Sequence, residues 1–231
     1  MPIRPTPSTT DLAELTLLPE AAAGRKVSAA PGDVAVTAGT AGVIVHNRQP
    51  VHIYTRPGGP AIAWLPTQQC GSDTWLPVID QQPGWVRVLL PSHPNGARGW
   101  ITTSDLDRSH TPHEIRVHRR SGRLQLLTDG RLTGGWQVAA GSEQTPLPDG
   151  RTFLLALVPG AERRPSPRVL ALATHSPASP TCTGIPGTVA IHPGPGVTDD
   201  DDPCRACLRV PAAAFDALTQ VRPGSLVRIY R

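Results

Sequence analysis

Proline and glycine punctuate this chain so densely that long helices are excluded. Together they make up 49 of the 231 residues, 27 and 22 respectively, and almost no stretch longer than a dozen residues escapes both. Proline removes a backbone donor and glycine weakens the regular elements it interrupts, so short strands joined by turns are expected. The length suits two small units, and the sequence changes character midway.

Residues 1–42, rich in Pro, Thr, Ala and Gly with one short apolar patch at 11–19, read as a mostly unstructured arm. Short apolar-alternating runs then follow at 44–46, 52–54, 61–65, 74–79, 85–90 and 99–102, separated by Pro-Gly and Pro-Asn-Gly turns, so residues 43–108 are expected to form a small barrel. After 109–113 a second strand-rich unit covers 113–231. Its predicted strands lie at 114–118 and 123–128, paired as a hairpin about Ser121-Gly122, then at 133–140, 153–158, 169–174, 188–192 and 226–230. One short helix is predicted at 211–220, with Pro211 at its start and Phe215 and Leu218 on one face. The fold class is therefore mainly β, a small barrel followed by a β-sandwich-type domain with one short helix.

Charge narrows the partners. The net charge of +4 comes almost wholly from arginine, Lys26 being the one lysine, and the basic residues are scattered without an aromatic-interleaved stripe. Nucleic acid is not an expected partner. No run approaches the roughly 18 apolar residues of a membrane span, and residues 1–26 lack the basic start and apolar core of a secretory signal. A role outside the cytoplasm would then call for a start further upstream or a trimmed chain. Four cysteines, Cys70, Cys182, Cys204 and Cys207, are too few for a disulfide scaffold. Cys204 and Cys207 form a C-x-x-C, but a zinc site would need a second ligand pair beyond His192, and a redox motif would need a βαβ context. No metal or other cofactor is expected.

A nucleophilic cysteine needs a base, a means of lowering its pKa and donors for an oxyanion. Cys207 ends an irregular loop rich in Asp and Pro just before the predicted helix, so its sulfur is expected to face the helix start, where the macrodipole favours thiolate. His192 closes the preceding predicted strand, fifteen residues earlier. Taken singly, a lone Cys is more often buried filler and a strand-end His more often a surface residue.

Several motifs in order resemble the L,D-transpeptidase family. Ile191-His192 matches the family's Ile-His-Gly segment, and Cys207-Leu208-Arg209 matches the end of its Ser-His-Gly-Cys motif, which continues with an aliphatic residue and Arg or Asn. Residues 141–153, with Gln-Thr-Pro-Leu-Pro-Asp-Gly at 144–150, look like the family's Thr-Pro-Thr-Pro-x-Gly signature. Thr174-His175-Ser176-Pro177 resembles the strand before the active-site loop, and 221–227 the closing strand. In the first unit, Trp75-Leu76-Pro77-Val78, Gly84-Trp85-Val86 and Gly99-Trp100-Ile101 resemble bacterial SH3-like domains that accompany cell-wall enzymes, with Trp85 and Trp100 as candidates for lining a peptide groove.

The resemblance implies an extracytoplasmic enzyme of the cell wall that cross-links third residues of peptidoglycan stem peptides through a cysteine thioester. Cys207 would be the nucleophile and His192 the proton donor and acceptor. Arg205 and Ala206 would shape the loop or oxyanion site, Arg209 and His175 would contact substrate, and carbapenems would acylate the cysteine. The chain departs from the family where Cys204-Arg205-Ala206 replaces Ser-His-Gly and Pro193 replaces the Gly or Ser after the histidine. Those departures define the alternative, a catalytically impaired relative that binds peptidoglycan. Two disulfides suit an extracytoplasmic protein: Cys182 with Cys204, bracing the loop, or Cys204 with Cys207, occupying the nucleophile. The first is the expectation, because the second blocks the chemistry the other matches imply.

Overall fold

The computed structural model describes residues 15, 17–141, 145–160, 168–177, 187–194 and 206–231. The chain first builds β1 (Val43–Asn47), β2 (Val51–Tyr54), β3 (Ala61–Leu65), the two-residue strands β4 (Gln68–Gln69) and β5 (Ser72–Asp73), β6 (Trp75–Gln82), β7 (Trp85–Leu89), β8 (Arg98–Thr102) and β9 (Leu106–His110). Seven of these form one nearly closed, barrel-like antiparallel sheet in the order β3-β2-β8-β7-β6-β1-β9. Alternation sends Val86 and Val88 of β7 inward with Ile53, Leu65 and Ile101. Trp100 is core and not groove: it is buried, and the Arg87 guanidinium lies 4.5 Å from its ring centroid. Trp85 is half-buried and meets Tyr54 edge-on at 5.2 Å.

Strand β9 was not legible in the sequence. It pairs with β1 from Val43↔His110 to Asn47↔Leu106, and only Thr111 and Pro112 separate it from the next strand. The second unit comprises β10 (His113–His118), β11 (Arg123–Thr128), β12 (Arg131–Gln137), β13 (Ala139–Ala140), β14 (Gly150–Pro159), β15 (Arg168–His175), β16 (Thr188–Pro193), β17 (Leu208–Val210), helix α1 (Ala212–Thr219) and β18 (Leu226–Tyr230). Its nine strands run in the order β12-β11-β10-β18-β14-β15-β16-β17-β13. The strand expected at 133–140 is in fact two, broken at Val138, and β12 and β13 lie at opposite ends of that order. β14 joins the halves: Gly150 to Phe153 pair with β18, and Leu154 to Pro159 pair with β15 across a register shift.

Alternation along the central strands explains how the layers stack. Leu170, Leu172, Val189 and Ile191 face a core shared with β10, β11 and the helix residues Ala214, Phe215 and Leu218. Their neighbours Ala171, Ala173 and Ala190 face the other way, into the core of the barrel-like sheet. With both faces buried, β15 and β16 read as continuous apolar runs, and the small alanines let the two layers approach. Gly224 (φ 85°) sits in the same seam, where a Cβ would come within 3.1 Å of Ile44 Cγ2 and Trp75 Cβ.

The segment from 17 to 42 is not the unstructured arm its composition suggested. It lacks regular secondary structure, yet Ala21, Val27 and Ala30 are buried and its backbone is paired. Ala21 N–H donates to Trp64 O (2.8 Å) on edge strand β3, Val27 N–H to His93 O (2.9 Å), and Asp33 N–H to Gly96 O (2.8 Å). Further along, Arg151 donates to both carboxylate oxygens of Asp33 (2.6 and 2.7 Å) and to Ala38 O (3.3 Å). Arg228, opposite Arg151 in the β14–β18 register, donates to Thr37 O and Glu114. Two neighbouring arginines thus strap the arm across the second unit. Composition hid this because the arm's partners are tens to nearly two hundred residues away in sequence.

Candidate functional site

The candidate site is organised by the parallel pair β16 and β17, whose register sets Ile191 against Leu208, His192 against Arg209 and Pro193 against Val210. Val189, Ile191, Leu208 and Val210 point into the core beside the helix, whereas Ala190 and Cys207 belong to the cluster facing the barrel-like sheet. Strand alternation therefore puts His192 and Arg209 on the same face as Cys207, with Cys207 one position before β17. All three are buried, Cys207 with 2% of its surface exposed.

Local contacts fix the imidazole. His192 Nδ1 lies 3.2 Å from Pro193 O. A carbonyl oxygen only accepts, so Nδ1 carries the hydrogen and Nε2 is the basic nitrogen of the neutral ring. Pro193, which has neither a backbone N–H nor a hydroxyl to offer, thus orients the histidine through its carbonyl. The Arg209 stem passes over Gly194, where a Cβ would lie 3.5 Å from its Cδ.

Cys207 is seated by the first residue of the stretch that resembles the Thr-Pro signature, to which the sequence alone assigned no role. Gly141 N–H donates to Cys207 O (3.1 Å), next to the β13–β17 pairs Ala139↔Arg209 and Ala140↔Leu208. Gly141 holds φ at 69°, and a Cβ there would fall 2.6 Å from Thr145 O and 2.7 Å from Leu147 N. The Thr145-Pro146-Leu147 stretch, read as a family signature, therefore supports the Cys207 backbone through Gly141, with Leu147 anchored in the core.

Other expectations are corrected. Cys207 does not face a helix start: β17 intervenes, and α1 packs through Ala214, Phe215 and Leu218 on the opposite side of the sheet, so its dipole does not bear on the sulfur. His175 is not part of this constellation. It pairs with Thr188, at the far end of β16 from His192, and four strand residues span roughly 13 Å. Cys207 is disulfide-bonded, whereas Cys70 is a free thiol whose pKa burial pushes up to about 11. The Cys182–Cys204 bridge and the loop role of Arg205 expected from the sequence fall on Cys182, Cys204 and Arg205, which lie outside the described residues. Ala206 is buried in the turn leading into Cys207. Among the described residues, no group of three or more His, Cys, Asp or Glu is arranged to hold a metal ion, and no helix is long and apolar enough to cross a membrane.

No protein-family model matches the chain, and no curated protein matches it. Solved structures similar to it include an L,D-transpeptidase from Mycobacterium smegmatis, 13% identical over 68% of this chain and 99% of that one, with a TM-score of 0.41. Another is L,D-transpeptidase 3 from Mycobacterium tuberculosis in complex with a faropenem-derived adduct, 10% identical over 68% and 93%, with a TM-score of 0.42. The catalytic domain of an E. faecium L,D-transpeptidase is 18% identical over 53% and 100%, with a TM-score of 0.36. These are distant likenesses, and the functional reading rests on the chain's own residues.

Proposed function

We propose that this chain is a cysteine-dependent acyltransferase of the L,D-transpeptidase kind, acting on peptidoglycan stem peptides outside the cytoplasm. The observation that carries the reading is that His192, its tautomer set by Pro193 O, shares one face of two hydrogen-bonded parallel strands with Cys207. In the reduced protein, His192 Nε2 takes the thiol proton and the thiolate attacks the carbonyl of the third stem residue. The tetrahedral oxyanion collapses, and the terminal D-alanine leaves with its amine protonated by His192. An amine from a neighbouring stem then attacks the thioester, joins the two stems and restores the thiol. Arg209, beside His192, would pair with a substrate carboxylate. The barrel-like sheet, read as SH3-like, would hold the enzyme on its polymer and raise the local substrate concentration.

A second reading is favoured by the disulfide on Cys207 and by the altered Cys204-Arg205-Ala206: a wall-binding relative without turnover. One experiment separates the two. The full chain, before and after treatment with a dithiol reductant, is exposed to a carbapenem and the adduct located by peptide mass mapping. The enzymatic reading expects a reduction-dependent adduct on Cys207, none in Cys207→Ala, and labelling slowed about 10²- to 10⁴-fold in His192→Gln. Absence of an adduct on the reduced protein, with retained binding to isolated sacculi, establishes the second reading instead.

A further inference from the structure

His175 lies where three parts of the molecule meet. Gly24 of the arm donates its N–H to His175 Nε2 (2.8 Å). From the barrel-like sheet, Asn95 pairs with the His175 backbone in both directions, accepting from its N–H and donating to its C=O, each at 2.8 Å. The His93 ring packs on the His175 ring with centroids 3.9 Å apart. His93 is itself tied to the arm, accepting at its carbonyl from Val27 N–H and donating its own N–H to Arg25 O (2.8 Å).

An N–H can donate to Nε2 only if that nitrogen carries no hydrogen, so His175 is neutral with its proton on Nδ1. Nδ1 is buried and has no hydrogen-bond partner. The titratable and charged groups around the ring add nothing favourable to a positive charge: His93 faces it from the barrel-like sheet, and Lys26 of the arm stands beyond His93. No acid among the described residues contributes to the balance at His175. A second proton would put an N–H on Nε2 against the N–H of Gly24, leaving two donors and no acceptor inside a buried contact.

We propose that His175, His93, Asn95 and Gly24 form a proton-operated clasp: neutral His175 fastens the 21–30 stretch of the arm and the barrel-like sheet to the end of β15, and protonation releases them. The layer so released is the one packed on the face of the nine-stranded sheet that bears Cys207. The clasp itself stands independently of any acyl transfer at Cys207. Burial, with a smaller contribution from His93, lowers the His175 pKa from 6.5 to about 4. The open form therefore binds the proton more tightly than the closed form, and closure is lost as pH falls from 6.5 towards 4. The Asp33 carboxyl, hydrogen-bonded by Arg151, is held below its ordinary value, so the 33–38 stretch remains strapped while 21–30 lifts.

The test is amide hydrogen exchange on the full chain from pH 7.5 to 4, corrected for intrinsic rates and read at Gly24 and Val27. The opening constant should rise about tenfold per pH unit below 6.5 and level off near 4, about 300-fold in all. His175→Gln, whose side-chain carbonyl can still accept from Gly24 but does not titrate, should lose most of the rise, keeping only the smaller dependence that the burial-lowered pKa of His93 contributes. His93→Asn should keep the rise. A flat profile in the unaltered chain, an undiminished rise in His175→Gln, or its loss in His93→Asn each overturns the proposal. Should His175→Gln not fold, nitrogen NMR of the unaltered chain decides: an Nε2–H tautomer at pH 7 refutes the clasp, and a bare Nε2 titrating together with Gly24 exchange supports it.

Discussion

At the scale of single residues, the candidate site depends on backbone positions as much as on reactive side chains. Cys207 and His192 were singled out because each falls in an ordered match to a motif, and the strand register sets them on one face. Gly141 was read only as the start of a signature-like stretch, since nothing in its immediate sequence says that its N–H serves a carbonyl 66 residues away. Its conformation and crowding make it irreplaceable there. Gly141→Ala must adopt φ 69° and displace Thr145 O or Leu147 N, which costs on the order of 1–3 kcal/mol. The expected outcome is a lower denaturation midpoint and, if the proposed acylation holds, slower carbapenem labelling of Cys207 on the reduced protein, because the Cys207 carbonyl loses its donor. Unchanged stability and labelling would show that this support is dispensable. His175 misled for the opposite reason. It sits in a motif-like string, but a strand has two ends, and only the register reveals that it is paired with Thr188, away from His192.

At the scale of elements, the pattern of β15 and β16 holds the stacking of the molecule. Their apolar runs announced strands, and strands formed; that both faces are buried follows from the absence of alternation with polar residues. The sequence also holds a finer signal, the alternation of large and small side chains. Leucines and isoleucine fill the core beside α1, and alanines meet the barrel-like sheet. The two faces should therefore respond differently to substitution. Leu172→Ala opens a cavity within the second unit and should cost about 2–5 kcal/mol. Ala171→Leu should cost about 1–3 kcal/mol by overpacking, and the strain falls on the seam between layers. Hydrogen exchange would separate them: Leu172→Ala should speed exchange across β10 and β11, whereas Ala171→Leu should speed it in the arm and the 93–97 stretch. The same pattern for both substitutions would mean that the two layers open as one unit. The break at Val138 was invisible locally, because β12 and β13 are strand-like on both sides and only the fold sends them to opposite edges.

At the scale of the whole molecule, the arm belongs to the fold, and the Asp33–Arg151 pair shows why composition could not say so. Composition marks segments that cannot build a core of their own, but an arm needs only to complete the core of its neighbours, as Ala21, Val27 and Ala30 do here. The pair's side chains are 1% and 4% exposed. Burial pushes the Asp33 carboxyl pKa up, but the Arg151 hydrogen bonds and charge, the Ala35 N–H and the charge of Arg98 outweigh it and hold the pKa below the ordinary value. A carboxyl with a depressed folded pKa contributes stability that is present above its unfolded pKa of 3.8 and is lost as pH falls through the lower folded value. Arg151→Met removes the partner and leaves a buried carboxylate alone, which costs about 3–5 kcal/mol at neutral pH. In that variant burial dominates, the Asp33 pKa rises above its unfolded value, and the sign of the dependence reverses. Acidification through the carboxylate range should then recover part of the lost stability instead of removing it. Denaturant unfolding of the unaltered chain, Arg151→Met and the double variant with Asp33→Leu, each at pH 7 and pH 4.5, reads this directly. The double variant should be closer to the unaltered chain than Arg151→Met at pH 7, because it buries no unpaired charge. Equal losses in the single and double variants, with no difference between the two pH values, would show that the arm is held by its apolar contacts and not by the buried pair.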